Sequence, residues 1–179
     1  MGNWMFYMFL IGIVVLAVIW IDCLRNYEGR RRTCLVWDTG LFLVSLVLYL
    51  GGAVVLCSFG LVWRSLPEAL LFGTVMVSFW TGLGLSLSCF LSEWRGLVKG
   101  VVVILASAVF LVTLWLGLLF FIFKVGVEER VIEYQGRNLL EEYSDFPDPQ
   151  YDYYEYRGPL VRGRGRIYID RGRIDSEVK

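Results

Sequence analysis

Histidine is absent from this sequence, and with it the side chain whose charge changes most readily near neutral pH. That excludes His-based triads, cysteine–histidine nucleophiles, imidazole metal ligation and the commonest general base. Proline is scarce, 4 in 179 residues, and two of the four, Pro147 and Pro149, share one short run. The 4 cysteines fit no compact zinc motif, so a metal or redox role for Cys23 and Cys34 finds no support in their spacing. Charge is missing altogether from four long stretches: Asn3 to Ile21, Thr39 to Trp63, Ala69 to Leu91 and Val101 to Phe123. Transport paths usually carry an ionisable residue inside the membrane, and these stretches have none.

What is present is apolar. The chain is 57% hydrophobic with mean hydropathy +0.60, above the roughly 45–50% apolar share of soluble domains. Each uncharged stretch reaches the roughly 17–25 residues that a helix needs to cross a hydrocarbon core of about 30 Å. The expected fold is an all-α membrane bundle of four transmembrane helices, residues 1–123, with a small β-rich extramembrane tail over 124–171 and a disordered end at 172–179. No Lys or Arg precedes the first stretch and no small-x-small cleavage site follows it, so it reads as a retained anchor rather than a signal peptide. Asp22 before Cys23 is the wrong residue for a lipoprotein site.

Basic residues in short loops mark the cytoplasmic side. Arg25, Arg30, Arg31 and Arg32 lie between the first and second stretches, Arg95 and Lys99 between the third and fourth, and only Arg64 in the remaining loop. Both termini are therefore expected outside the cytoplasm, in a multi-pass protein of the plasma membrane. Trp4 and Trp63 then fall at outer ends and Trp20, Trp37 and Trp94 at inner ends, as headgroup-level tryptophans do. On that topology no two cysteines are both exported and adjacent, and no disulfide is expected.

Thr74, Ser78, Gly82 and Ser86 recur every fourth residue in the third stretch and form one stripe of small side chains. Such stripes let helices approach closely in lipid, where apolar surface gives no drive to associate. The competing reading has the hydroxyls line a pore. Back-bonding to carbonyls one turn earlier is the commoner use and is expected here.

After Lys124 the pattern changes to alternation. Segments 129–134 and 137–143 flank Gln135-Gly136 and predict a hairpin. Tyr151 to Arg157 and Leu160 to Gly163 form a second candidate pair about Gly158-Pro159, with a further strand at Arg166 to Asp170. Seven of the ten tyrosines lie in this tail. Tyr151, Tyr153, Tyr154 and Tyr156 are candidate partner contacts, since tyrosine combines large contact area with a polar tip; the alternative is that they pack the module's own core. The run from Tyr151 to Gly163, preceded by Glu133-Tyr134-Gln135-Gly136, resembles the extracytoplasmic segment of uncharacterised short membrane proteins of Gram-positive bacteria, which carry a Tyr-Tyr-x-Tyr run and a later glycine. The resemblance includes no membrane helix and departs at Gly158-Pro159, where an Asn-containing pair is expected. It implies an exported β module and no catalytic residue.

Other chemistry finds little footing. Glu128-Glu129 and Glu141-Glu142 are adjacent on strands, so each doublet points to opposite faces and reads as a solvated edge. Gly163-Arg164-Gly165-Arg166 has no following apolar helix to make a phosphate loop, and Asp170, Asp175 and Glu177 counter its charge. Arg25, Arg30, Arg31 and Arg32 either set topology or hold anionic lipid. No catalytic residue, metal site, cofactor or nucleic-acid partner is expected. The function anticipated is that of a non-enzymatic anchoring, interaction or accessory protein in the bilayer, self-associating or joined to another membrane protein. A small transporter or channel component is the alternative, and a signalling protein with a cytoplasmic tyrosine-rich tail is the third.

Overall fold

The structure is a computed structural model and describes residues 2–26, 28–93, 96–144 and 150–170, with the side chains of 2–9, 93 and 168–170 left aside. Trp94, Arg95, the loop with Pro147 and Pro149, and the end expected to be disordered lie outside the described residues. The elements run α1 (Gly2–Asn26), α2 (Arg30–Ser58), β1 (Leu61–Trp63), α3 (Ser65–Glu93), α4 (Leu97–Val125), β2 (Glu128–Tyr134), β3 (Arg137–Ser144), β4 (Gln150–Tyr156) and β5 (Val161–Asp170).

The helices follow from unbroken runs of Leu, Val, Phe and Ala whose backbone groups have no partner in lipid except one another. Pro67 is tolerated because it lies in the first turn of α3, where its missing N–H costs no ladder bond. Among the described residues, three helices are long and apolar enough to cross a membrane: α2, α3 as far as Ser92, and α4. The stretch from Asn3 to Ile21 falls in α1, which is not one of those three.

The chain divides into two compact units, Met1–Ser45 with Thr74–Leu118, and Leu46–Gly73 with Leu119–Lys179. In the first, all four helices supply one core: Ile19 and Cys23 from α1, Leu35 from α2, Cys89 and Phe90 from α3, Val102 from α4. A second cluster joins Leu16, Leu83, Ala106 and Val109. Outward-facing positions are apolar too, Val18 and Ile104 being 60% and 70% exposed. A water-soluble bundle would carry charge there.

The second unit holds the sheet. All neighbours are antiparallel and the order is β1-β5-β4-β3-β2. The β2–β3 hairpin turns at Gln135 and Gly136, with φ of 50° and 74°. Two successive positive φ values mark a type I′ turn, whose twist matches that of the strands.

Besides the count of three span-capable helices among the described residues against four expected, two features differ from the sequence expectation. The second apolar stretch does not stay helical to Trp63: α2 stops at Ser58, Gly60 takes φ 68°, and Leu61–Trp63 becomes β1, paired with β5 through Leu61 opposite Gly163. The Trp63 indole lies so close to Gly52 that an added Cβ would stand 2.6 Å from Cζ2. β5 is also one strand across 161–170 rather than two pieces, with register shifts against β4 between Tyr153 and Tyr156. Gly163 and Gly165 fall in that irregular stretch, where bulges commonly recruit glycine.

Candidate functional site

In a flat sheet, four inter-strand steps of about 4.8 Å would put β1 and β2 about 19 Å apart. Yet the Glu129 carboxylate on β2 meets both residues that follow β1. It accepts from Arg64 Nε at 2.7 Å and from the Ser65 backbone N–H at 2.7 Å. A glutamate side chain spans only a few ångströms, so the sheet must curl and bring its outer strands toward each other. The Ser65 bond also satisfies one of the N–H groups that the start of α3 leaves unpaired. The Arg64 and Glu129 side chains are 16% and 9% exposed, which makes this a largely desolvated pair.

Further along the same side of the strands, Arg162 Nε of β5 lies 2.7 Å from Glu142 Oε1 of β3. Its guanidinium carbon is 3.5 Å from the ring centroid of Tyr154 on β4. The Nε–H is not aligned on the carboxylate as a hydrogen bond requires, so charge and stacking hold the group together. Burial pushes the Glu142 carboxyl up to about 7 against the pull of Arg162, with Glu129 and Asp152 adding to the rise and Lys124 opposing it. Burial likewise raises the Tyr154 phenol.

Glu142 thus binds its proton more tightly folded than unfolded. Its contribution to stability is greatest at low pH, declines as pH climbs from the ordinary 4.5 to about 7, and is level above that. Melting the full chain in detergent from pH 4 to 8 should show a decline across that window that Glu142→Gln lacks. A pH-independent difference between the two proteins would acquit Glu142.

The carboxylate doublets are therefore not solvated edges in full. Glu141 and Glu142 are both buried, and Glu129 is in the pair just described. The four candidate tyrosines of β4 divide into a buried middle pair and half-buried outer ones. Tyr153 is fully buried with Ile132 and Leu139, its hydroxyl donating to Glu141 Oε2 at 3.1 Å. Tyr154 is buried under Arg162, while Tyr151 and Tyr156 are half-buried. Tyr151 packs against Tyr143, ring centroids 4.8 Å apart. Arg164 and Arg166 of the Arg-Gly run contact Cys57 Sγ at 3.0 Å and Asp152 Oδ1 at 3.5 Å.

In α3, Ser78 and Ser86 are buried, Gly82 lies against the Trp20 ring, and Thr74 is exposed. The Ser78 and Ser86 hydroxyls donate to the carbonyls of Thr74 and Gly82 at 2.7 and 2.8 Å. Arg25, Arg30, Arg31 and Arg32 are exposed. Three arginines at the start of α2 oppose the favourable sign of the helix dipole, so helix stability does not account for them.

Where α3 begins and α4 ends, a cavity of about 570 Å³ opens, lined by Arg64, Leu66, Leu70, Lys124, Val125 and Leu160 among others. Lys124 Nζ donates to Glu68 Oε2 at 2.6 Å. Nothing in the sequence marked this place, because its lining comes from segments that are far apart along the chain. Compared with known protein families, curated proteins and solved structures, the chain matches none.

Proposed function

We propose that the chain is a non-enzymatic protein of the plasma membrane that crosses it four times and holds a small curled sheet outside the cytoplasm as a contact module for another protein or the envelope. One observation carries this: the sheet is tied to span-capable helices at both of its outer strands. β1 lies between α2 and α3, and β2 follows α4 after two residues. A module bound in this way is held at the bilayer surface, which suits an anchored contact role.

Four crossings are supported by α1, which shares a core with the three span-capable helices and exposes Ile11, Val14 and Val18. The half-buried Tyr151 and Tyr156 remain as candidate contacts. A transport path is less well supported, since Ser78 and Ser86 of α3 spend their hydroxyls on their own helix.

Orientation rests on the six cations of the two loops after the first and third apolar stretches, against Arg64 alone in the remaining loop. A C-terminal fusion to a reporter active only after export is expected to signal, and a cytoplasm-only reporter in its place to stay dark. The reverse pattern would overturn the exported module.

A further inference from the structure

We propose that the cavity beside Arg64 and Lys124 binds the phosphate of an anionic phospholipid, its acyl chains lying along the adjoining apolar helix surface. The inference rests on the membrane-spanning reading and goes beyond it, since an anchor needs no lipid site.

The cavity joins two kinds of lining. Leu66, Leu70, Val125 and Leu160 are each at least half exposed, and Lys124 ends the apolar run of α4, so these side chains lie where the helices would leave the hydrocarbon. Arg64 and Lys124 supply the polar part. The charged side chains there are unequally used. Both Glu129 oxygens already accept, from Arg64 and from the Ser65 amide. Lys124 carries three N–H donors and gives one to Glu68, while Arg64 carries five and gives one to Glu129 and one to the Pro159 carbonyl. N–H donors on Lys124 and Arg64 therefore remain for an occupant that brings acceptors. Arg64 is paired with Glu129 and Lys124 with Glu68, so the preference for an anion rests on the unused N–H donors and not on net charge. Hydrocarbon alone leaves the donors unused, and free phosphate leaves four apolar side chains uncovered. An anionic lipid headgroup at the bilayer surface meets both needs, and the volume lies within the range of about 300–1,000 Å³ usual for small-molecule sites.

The test is lipid retention by native mass spectrometry of the full chain in neutral detergent, offered phosphatidylglycerol or phosphatidylcholine with matched acyl chains. Phosphatidylglycerol should be retained preferentially. Lys124→Gln should weaken it about fivefold, the effect of one basic residue near an anionic surface. Leu70→Glu, which places a carboxylate among the apolar side chains, should weaken it at least as much. Arg157→Gln, an exposed charge elsewhere on the sheet, should change nothing. Should Lys124→Gln misfold for want of a partner for Glu68, Leu70→Glu decides the matter alone. Equal retention of the two lipids, or undiminished retention in Leu70→Glu, overturns the proposal. So does displacement by millimolar inorganic phosphate, which would make the cavity a phosphate site indifferent to acyl chains.

Discussion

Glu129→Ala should unfold the sheet or cost about 3–5 kcal/mol, the loss typical of breaking a buried ion pair from one side. The substitution leaves the Arg64 guanidinium mostly desolvated with no counter-charge and removes the acceptor of the Ser65 N–H at the start of α3. It also releases the tie that draws β2 toward β1, so the curl should relax. Glu129→Gln keeps an acceptor for the amide and should lose less. Arg157, whose partner Glu155 is half exposed, provides the contrast: Arg157→Ala should shift stability by less than about 1 kcal/mol, as exposed pairs do. Thermal melting in detergent, followed by circular dichroism in the strand region, checks both. Equal shifts for Glu129→Ala and Arg157→Ala would show that the Arg64–Glu129 tie does not hold the sheet.

Gly82→Ile should prevent the first unit from packing as it does. An added Cβ at 82 would fall on the Trp20 ring and lie 2.5 Å from Asp38 Oδ2, and the indole has little freedom to withdraw because its Nε1 donates to Thr39 Oγ1 at 2.8 Å. Overpacking of this kind costs about 1–3 kcal/mol, and more when the obstructing group is fixed. Gly84→Ile is the matched control, with the same helix, the same change of residue and nothing within 4 Å of the new Cβ. The first variant should yield little folded protein in detergent, the second nearly the wild-type amount. Comparable losses at both positions would mean that helix propensity or insertion, rather than the Trp20 contact, sets the effect.

The helices were legible because charge-free length is a one-dimensional property: Ala69 to Leu91 and Val101 to Phe123 lie inside α3 and α4. The end of the second stretch was not, since Leu61-Val62-Trp63 is as apolar as a helix and three residues are too few to show a period of two. Its strand character depends on β5, which follows two helices and three strands later. Gly163 and Gly165 looked like breaks for a related reason, because a bulge and a chain reversal both recruit glycine and differ only in what the neighbouring strand does. The tyrosine run gave alternation but not depth. Tyr153 and Tyr154 face opposite sides of β4 and are both buried, so cover on both sides had to be known before either could be placed. The Arg64–Glu129 tie was least accessible of all. Each residue alone reads as surface charge, and only the curl of the sheet brings them together.

The placement of β1 has a consequence for synthesis. This strand is made before α3 and α4 and finds its partner only in β5, Arg64 and Pro159 standing 95 positions apart. At roughly 5–20 residues per second, Leu61 to Trp63 must wait on the order of 5–20 seconds, after α3 and α4 have been made, before anything can pair with them. A nascent chain interrupted before β5 would therefore carry α1 to α4 and an open strand edge. Pairing of β1 thus reports that synthesis has passed β5, and a protease that recognises unpaired strand edges distinguishes chains that have reached that strand from chains that have not.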